Sequence, residues 1–84
     1  MKATFKYVNR LDKVVEFILE PWAEEYQLLP QQELVLVGRF EDENAFCQVD
    51  DRDDCVIFFA WEHSLVEVYI DGEDKTLTSN SVMF

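Results

Sequence analysis

The sequence predicts an all-β domain, folded as a small antiparallel sandwich or barrel of about six or seven short strands. Short runs of β-branched and aromatic residues recur along the chain, and turn residues interrupt them about every eight to twelve residues. Of the 84 residues, 49% are hydrophobic and only two are Gly and two are Pro, a composition that excludes a disordered chain. This length fits one domain, which we assign to residues 1–78, with residues 79–84 as a loose C-terminal tail.

The first two strands are predicted before residue 21. Phe5 and Tyr7 alternate with a lysine in a first strand, which ends at the turn residues Asn9–Asp12. The stretch Val14–Glu20 fits a helix by the spacing of its apolar residues, and it fits a strand by their alternation with glutamates. We favour the strand, because β-branched and aromatic residues prefer strands and Pro21 would end a helix early.

The middle of the chain predicts a hairpin followed by a central strand. Glu33–Phe40 and Ala45–Val49 are β-rich runs separated by turn residues, which is typical of a hairpin. The acidic stretch Asp50–Asp54 then interrupts the apolar pattern, as a solvated hairpin tip would. Cys55–Trp61 is apolar at both alternating positions, as expected for a central strand that is covered on both faces.

The last predicted hairpin lies near the C-terminus. Leu65–Ile70 alternates as a strand, Asp71-Gly72 is typical of a tight hairpin turn, and Lys75–Thr78 returns along the strand. The inward positions of all these strands give the candidate core, which consists of Phe5, Val15, Phe17, Leu19, Leu34, Leu36, Val56, Phe58, Val66, Val68 and Ile70.

The charge of the chain is strongly negative and unevenly distributed. Eighteen Asp and Glu against seven Lys and Arg give a formal net charge of -11, yet residues 1–13 contain four of the basic residues and one acidic residue. So acidic a domain repels phosphate groups, and binding to nucleic acids or to anionic membranes is therefore not expected. The basic end lies either against the acidic body of its own chain or against a second copy, and the sequence leaves both alternatives open.

The targeting features and the cysteines favour a cytoplasmic location. The longest apolar run has seven residues, too short for a membrane helix, and the first ten residues lack the apolar region of a secretory signal. Cys47 and Cys55 are therefore expected as free thiols in a reducing compartment. A hairpin centred on Asp51 would nevertheless place the two cysteines opposite each other, within reach of a disulfide.

Two motifs resemble small uncharacterised bacterial proteins. Residues 19–26 read Leu-Glu-Pro-Trp-Ala-Glu-Glu-Tyr, which resembles the family pattern Leu-Glu-Pro-Trp-x-Glu-x-Tyr. An aromatic strand that ends in Trp61, a serine-containing turn, Val-x-Val and Asp-Gly are also similar to that family. The resemblance implies a β fold, and it implies no catalytic residue, since the family has no established activity. Gln31 departs from the pattern, because the family tends to have Gly there after Pro30.

The candidate binding site is the segment Glu20–Tyr26, which combines carboxylates with two aromatic side chains, the ingredients of a site for a cationic or sugar-like ligand. In the alternative interpretation, Trp22 and Tyr26 only anchor a long loop to the core. Neither a metal nor a cofactor is expected, because the Asp50–Asp54 stretch lacks the ligand spacing and glycine of a calcium loop, and the cysteines lack zinc spacing. The candidate binding residues are Trp22, Glu24, Tyr26, Trp61 and His63.

The single histidine, His63, lies between Glu62 and Ser64 in the sequence, so these residues superficially supply a base, an orienting carboxylate and a nucleophile. Adjacent residues in a turn point apart, and the chain lacks a nucleophile elbow, so no catalytic residue is predicted. The sequence favours a non-enzymatic protein-interaction or self-associating module, expected as a homodimer with an apolar centre and an acidic rim. Two alternatives stay open: an acidic immunity- or antitoxin-like protein that binds a basic partner, and a small ligand-binding protein or hydrolase that uses His63.

Overall fold

The computed structural model describes residues 1–77, and within this range it contains strands and no helix. The predicted tail, residues 79–84, lies outside the described residues, as does Thr78. The eight strands of the described range are β1 (Lys2–Val8), β2 (Val15–Glu20), β3 (Glu24–Leu28), β4 (Glu33–Arg39), β5 (Gln48–Arg52), β6 (Cys55–Phe59), β7 (Leu65–Ile70) and β8 (Glu73–Asp74).

These strands form two four-stranded sheets. The first sheet has the order β1-β4-β7-β8, and the second has the order β3-β2-β6-β5. The predicted all-β sandwich is confirmed: the ring of Phe5 in the first sheet lies 4.7 Å from that of Phe58 in the second. One strand pair differs from the expected antiparallel arrangement, because β2 and β6 run parallel. Parallel neighbours need a long connection, and the chain between these strands supplies one by crossing to β4 in the other sheet.

The core lies between the two sheets and follows the alternation of the strands. In β2, for example, Val15, Phe17 and Leu19 are fully buried, whereas the residues between them face outward. Nine of the eleven predicted core residues are buried, and Phe5 and Ile70 are partly buried against them. The core also contains four residues outside the predicted core set: Tyr26, which the alternative interpretation anchors to the core, and Leu28, Phe40 and Trp61.

The prediction that Glu33–Phe40 and Ala45–Val49 form a hairpin is wrong. The strand β4 pairs with β1 and β7, so the chain leaves the first sheet after Arg39 and enters the second sheet at β5. The acidic stretch is also placed differently, because residues 50–52 belong to β5 and the turn is Asp53-Asp54. β6 does lie between two strands, as predicted, but its outer face is open, and Phe59 is 42% exposed.

Two tight turns join neighbouring strands, β2 to β3 and β7 to β8. The segment 20–26 is a hairpin and not a long loop, since β2 and β3 are joined by residues 21–23, with Ala23 at a φ of 57°. The predicted Asp71-Gly72 turn is confirmed, and both residues have positive φ (51° and 80°), as a type I′ turn requires. The returning strand is β8 at residues 73–74, earlier in the chain than the predicted stretch 75–78.

The two cysteines do not face each other. In the β5–β6 hairpin, Cys55 pairs with Arg52, so the centre of the turn lies beyond Asp51 and the predicted alignment with Cys47 is wrong. Both cysteines are half-buried free thiols: Cys55 is the first residue of β6, and Cys47 directly precedes β5. Because side chains alternate along a strand, this shift of register is enough to exclude the disulfide geometry.

Candidate functional site

The β2–β3 hairpin brings together three of the residues that the sequence predicts as binding residues. Glu24 is the first residue of β3 and is 6% exposed, and the Tyr26 hydroxyl lies 3.5 Å from the Glu24 Oε1 atom. Trp22, in the turn, is partly buried and packs against the core. Both aromatic side chains therefore anchor the hairpin, and a ligand role for these three residues stays a prediction.

Trp61, the fourth predicted binding residue, lies in the core just after β6. Its ring is stacked on Phe40, with centroids 5.6 Å apart and planes 17° apart, and its edge meets Phe58 at 5.5 Å. It is 6% exposed, and it occupies the space beside Gly38 that a larger residue would need. The ring faces are thus covered by protein.

The Glu62-His63-Ser64 segment separates its polar groups. His63 is exposed in a turn with a φ of 54°, whereas Ser64 is fully buried, and its hydroxyl has no hydrogen-bond partner among residues 1–77. A base that faces solvent and a hydroxyl that faces the interior cannot form the hydrogen bond of a nucleophile–base pair. No group of three His, Cys, Asp or Glu in the described range is arranged to hold a metal ion.

A shallow cavity of about 230 Å³ lies on the outer side of the first sheet, lined by residues that include Arg39, Leu65 and Glu67. Arg39 and Glu67 form an ion pair at 3.0 Å, and the Tyr69 hydroxyl donates to the other Glu67 oxygen at 2.6 Å. The Tyr69 hydroxyl and then the Arg39 guanidinium lower the pKa of Glu67, and the same hydrogen bond raises the pKa of Tyr69. This volume is below the ~300 Å³ of small-molecule pockets, so the cavity does not define a ligand site.

The outer face of the second sheet combines apolar and acidic side chains. Along β2, Ile18 faces outward between two glutamates, and the parallel register places it beside Ile57 of β6. Phe59 follows two residues later on the same face of β6. We call this surface the acidic face, because its four carboxylates outnumber its one cation: Glu16, Ile18, Glu20, Glu25, Gln27, Gln48, Asp50, Arg52, Cys55, Ile57 and Phe59.

The carboxylates of the acidic face surround its apolar centre. Glu25 of β3 is opposite Ile18, and Asp50 of β5 is opposite Ile57, so the row across the sheet reads acidic, apolar, apolar, acidic. Asp50 forms an ion pair with Arg52 at 2.8 Å. Phe46 lies two residues before β5 and is 67% exposed, so an exposed aromatic ring directly precedes this sheet in the sequence.

The outer face of the first sheet has the opposite charge along one edge. Lys2 and Lys6 are exposed on the edge strand β1 and are opposite Arg39 and Val35 of β4, with Val37 opposite Thr4 between them. We call this edge of the sheet the basic face: Lys2, Thr4, Lys6, Val35 and Val37. On the other side of Val37 lies Glu67 of β7, which forms the ion pair with Arg39.

The cations of the chain fall into two groups. Three of them pair with nearby carboxylates, as Arg39–Glu67, Arg52–Asp50 and Lys75–Glu73. The four cations of the first thirteen residues, Lys2, Lys6, Arg10 and Lys13, have no carboxylate within 4 Å in the part of the chain that the structure describes. Within residues 1–77, no contact ion pair therefore ties the basic end to the acidic body.

Neither face could be recognised from the sequence alone. The alternation of Glu16, Ile18 and Glu20 was visible, but Ile57 and Phe59 are about 40 residues away and join them only through the parallel register. Comparison with protein families, with curated proteins and with solved structures gives no match for this chain. The described residues contain no helix of the length and apolarity that crossing a membrane requires.

Proposed function

We propose that this chain is a non-enzymatic protein-interaction module that binds a basic protein surface through its acidic face. The observation that carries the proposal is the pair Ile18 and Ile57, side by side at the centre of an open sheet with a carboxylate on either side. Side chains from three separate segments of the sequence meet in this patch.

The chemistry of the patch matches that of protein interfaces. Interfaces combine an apolar centre, which loses water on binding, with a polar rim that selects the partner. Here Phe59, 42% exposed, supplies an aromatic contact of the kind that dominates binding energy. The carboxylates and the net charge of -11 steer a basic partner towards this surface and repel acidic ones.

The interior leaves little room for a different role. The inward side chains of both sheets fill the core, and the carboxylate at the outer cavity of about 230 Å³, Glu67, is already held by Arg39 and by the Tyr69 hydroxyl. This supports the preference for binding over hydrolysis with His63.

A cationic peptide tests the proposal. Titrating the ¹⁵N-labelled protein with a synthetic Lys- and Val-containing peptide is expected to shift the amide signals of Ile18, Ile57 and Phe59 most. A counterpart with Glu in place of Lys is expected to cause no such shifts. Raising the salt concentration is expected to weaken binding, because the contacts with the rim are exposed.

Two double variants of equal net charge locate the binding surface. Glu16→Gln/Glu25→Gln removes two carboxylates of the acidic face and is expected to weaken binding several-fold, since each exposed ion pair contributes about 0.2–1 kcal/mol. Glu41→Gln/Glu62→Gln removes two exposed carboxylates elsewhere and is expected to have little effect. Equal weakening in both variants, or equal binding of the Glu peptide, would contradict the proposal.

A further inference from the structure

We infer that a second copy of this chain is one such basic partner, and that copies stack head to tail, the basic face of one on the acidic face of the next. This inference rests on the proposed function, because it uses the acidic face as the receiving surface. It adds the identity of a partner and the geometry of the assembly.

The first step is the match between the two faces. Each has apolar side chains on neighbouring strands: Val35 and Val37 on the basic face, Ile18 and Ile57 on the acidic face. Around the centre of the acidic face lie four carboxylates and one cation, Arg52, which pairs with Asp50. The valines of the basic face have Lys2 and Lys6 on the β1 side and the Arg39–Glu67 ion pair on the β7 side. The cations, Lys2 and Lys6, are on the edge strand, so a second molecule can reach them without displacing protein. On the β1 side of the valines, apolar contacts and opposite charges therefore coincide when one face covers the other.

The second step is that the cations of the basic face are available. Lys2 and Lys6 have no carboxylate within 4 Å among residues 1–77, so association breaks no ion pair of the monomer there. The three cations that the fold neutralises are Arg39, opposite Lys2 on β4, Arg52 on β5 and Lys75 after β8. Of the four cations without such a carboxylate, Lys2 and Lys6 are the two on the edge strand.

The third step is the direction of the two faces. They are the outer surfaces of two packed sheets, so they point away from each other, and one copy cannot use both on the same neighbour. A two-fold dimer through the acidic face would set carboxylates against carboxylates. An interface between unlike faces instead repeats from copy to copy and leaves one free face at each end.

The size of the faces sets the expected strength. The basic face lies on two strands of seven residues, which present roughly 200 Å², about a quarter of what a stable interface buries on each partner. Stacking is therefore expected to be weak, and the assay needs protein at hundreds of micromolar. Salt near 0.15 M limits the repulsion between acidic bodies to about 8 Å.

Two variants, each defective in one face, provide the test. Lys2→Glu/Lys6→Glu reverses the charge of the basic face, and Phe59→Glu places a charge on the apolar part of the acidic face. Sedimentation velocity is expected to show wild-type protein above the 10.0 kDa of one chain, with the mass rising with concentration. Each variant alone is expected to stay at 10.0 kDa. Their equimolar mixture is expected to form a species of twice that mass and none larger, since only one intact pair of faces remains.

The other outcomes overturn the inference in distinguishable ways. Wild-type protein that stays at 10.0 kDa excludes stacking, and the proposed function survives if the acidic face still binds the cationic peptide. Dimers of either variant alone indicate a two-fold pairing through its intact face, as in the homodimer expected from the sequence. A mixture that stays monomeric while the wild type associates also excludes stacking. Circular dichroism verifies the fold of each variant, and Glu16→Gln/Glu25→Gln replaces Phe59→Glu if the latter unfolds.

Discussion

Substituting Gly38 by alanine is expected to destabilise the protein through Trp61. A Cβ atom at position 38 would lie 2.3 Å from both Cε3 and Cζ3 of the Trp61 ring, and 3.2 Å from its Cδ2 atom. The backbone of Gly38 cannot retreat, because it pairs with Ala3 on one side and with Val66 on the other. The indole ring must therefore move.

The magnitude follows from what the ring would lose. A core that accommodates an extra carbon by small shifts loses about 1–3 kcal/mol. Complete expulsion of the ring would expose about 150–250 Å² of aromatic surface, worth roughly 4–6 kcal/mol at ~25 cal/mol per Å². We expect a loss of about 2–5 kcal/mol, since Trp61 is 6% exposed and is packed against Phe40 and Phe58. The stability of a chain of this length is on the order of 4–12 kcal/mol.

Urea unfolding followed by circular dichroism measures this loss. Gly72→Ala is the matched control, because a Cβ there meets nothing within 4 Å and only the φ of 80° opposes it, at about 1–2 kcal/mol. In a Trp61→Leu background the added loss from Gly38→Ala is expected to shrink by more than about 1 kcal/mol, as coupling between contacting residues requires. A Gly38→Ala loss no larger than that of Gly72→Ala, or one unchanged without the indole, would refute the reasoning.

Three further predictions concern a buried amide, a strained turn and an acid-sensitive carboxylate. Asn9→Ala is expected to lower the free energy of unfolding by about 2–3 kcal/mol, because the buried Asn9 amide donates to the Leu28 carbonyl at 2.9 Å. Urea titration measures this free energy, and a loss under ~0.5 kcal/mol would contradict the prediction. Gln31→Gly is expected to raise the melting temperature, because Gln31 has a φ of 72°, which glycine adopts without strain; a lower melting temperature would disprove this. The lowered pKa of Glu67 gives stability that is present above its ordinary pKa and is lost as the pH falls through the folded-state value. In an acid titration, the Glu67→Gln variant should therefore lose less stability than the wild type over that pH range. The difference is expected to be small, because the Arg39–Glu67 pair is partly exposed; identical curves would count against the prediction.

The strands that the sequence predicted are those with one strongly apolar face. β2, β4, β6 and β7 each contain inward residues of high β propensity, and these runs of β-branched, aliphatic and aromatic residues were enough to locate them. β3 was not predicted, because its first inward residue is the charged Glu24 and Pro21 precedes it, a pattern more typical of a loop. β5 was partly missed for a related reason: an edge strand tolerates charge, and Asp50 and Asp51 both belong to it.

The pairing of strands was less predictable than their existence. The turn Asp71-Gly72 has a local signature, and its hairpin was predicted. The crossing from β4 to β5 lacks such a signature, and adjacent β-rich runs were therefore expected to pair with each other. The same limit applies to the candidate site, because Ile18 and Ile57 become neighbours only through a parallel register between distant segments.

The uneven distribution of charge along the chain becomes, in the folded protein, a difference between the outer surfaces of the two sheets. Two of the four basic residues of the first segment, Lys2 and Lys6, lie in β1, the edge of the first sheet. The outward side chains of β2 and β6, in the middle of the second sheet, form the centre of the acidic face. A sandwich holds these two sheets apart by its core, about 10 Å thick, so charges on their outer surfaces neutralise each other poorly through the protein. Contact with another molecule removes both the unpaired charge and the exposed apolar centre at once. Because the two contributions coincide on each face, association through them is expected to depend on ionic strength and on apolar contact together, which distinguishes it from attraction between charged bodies alone.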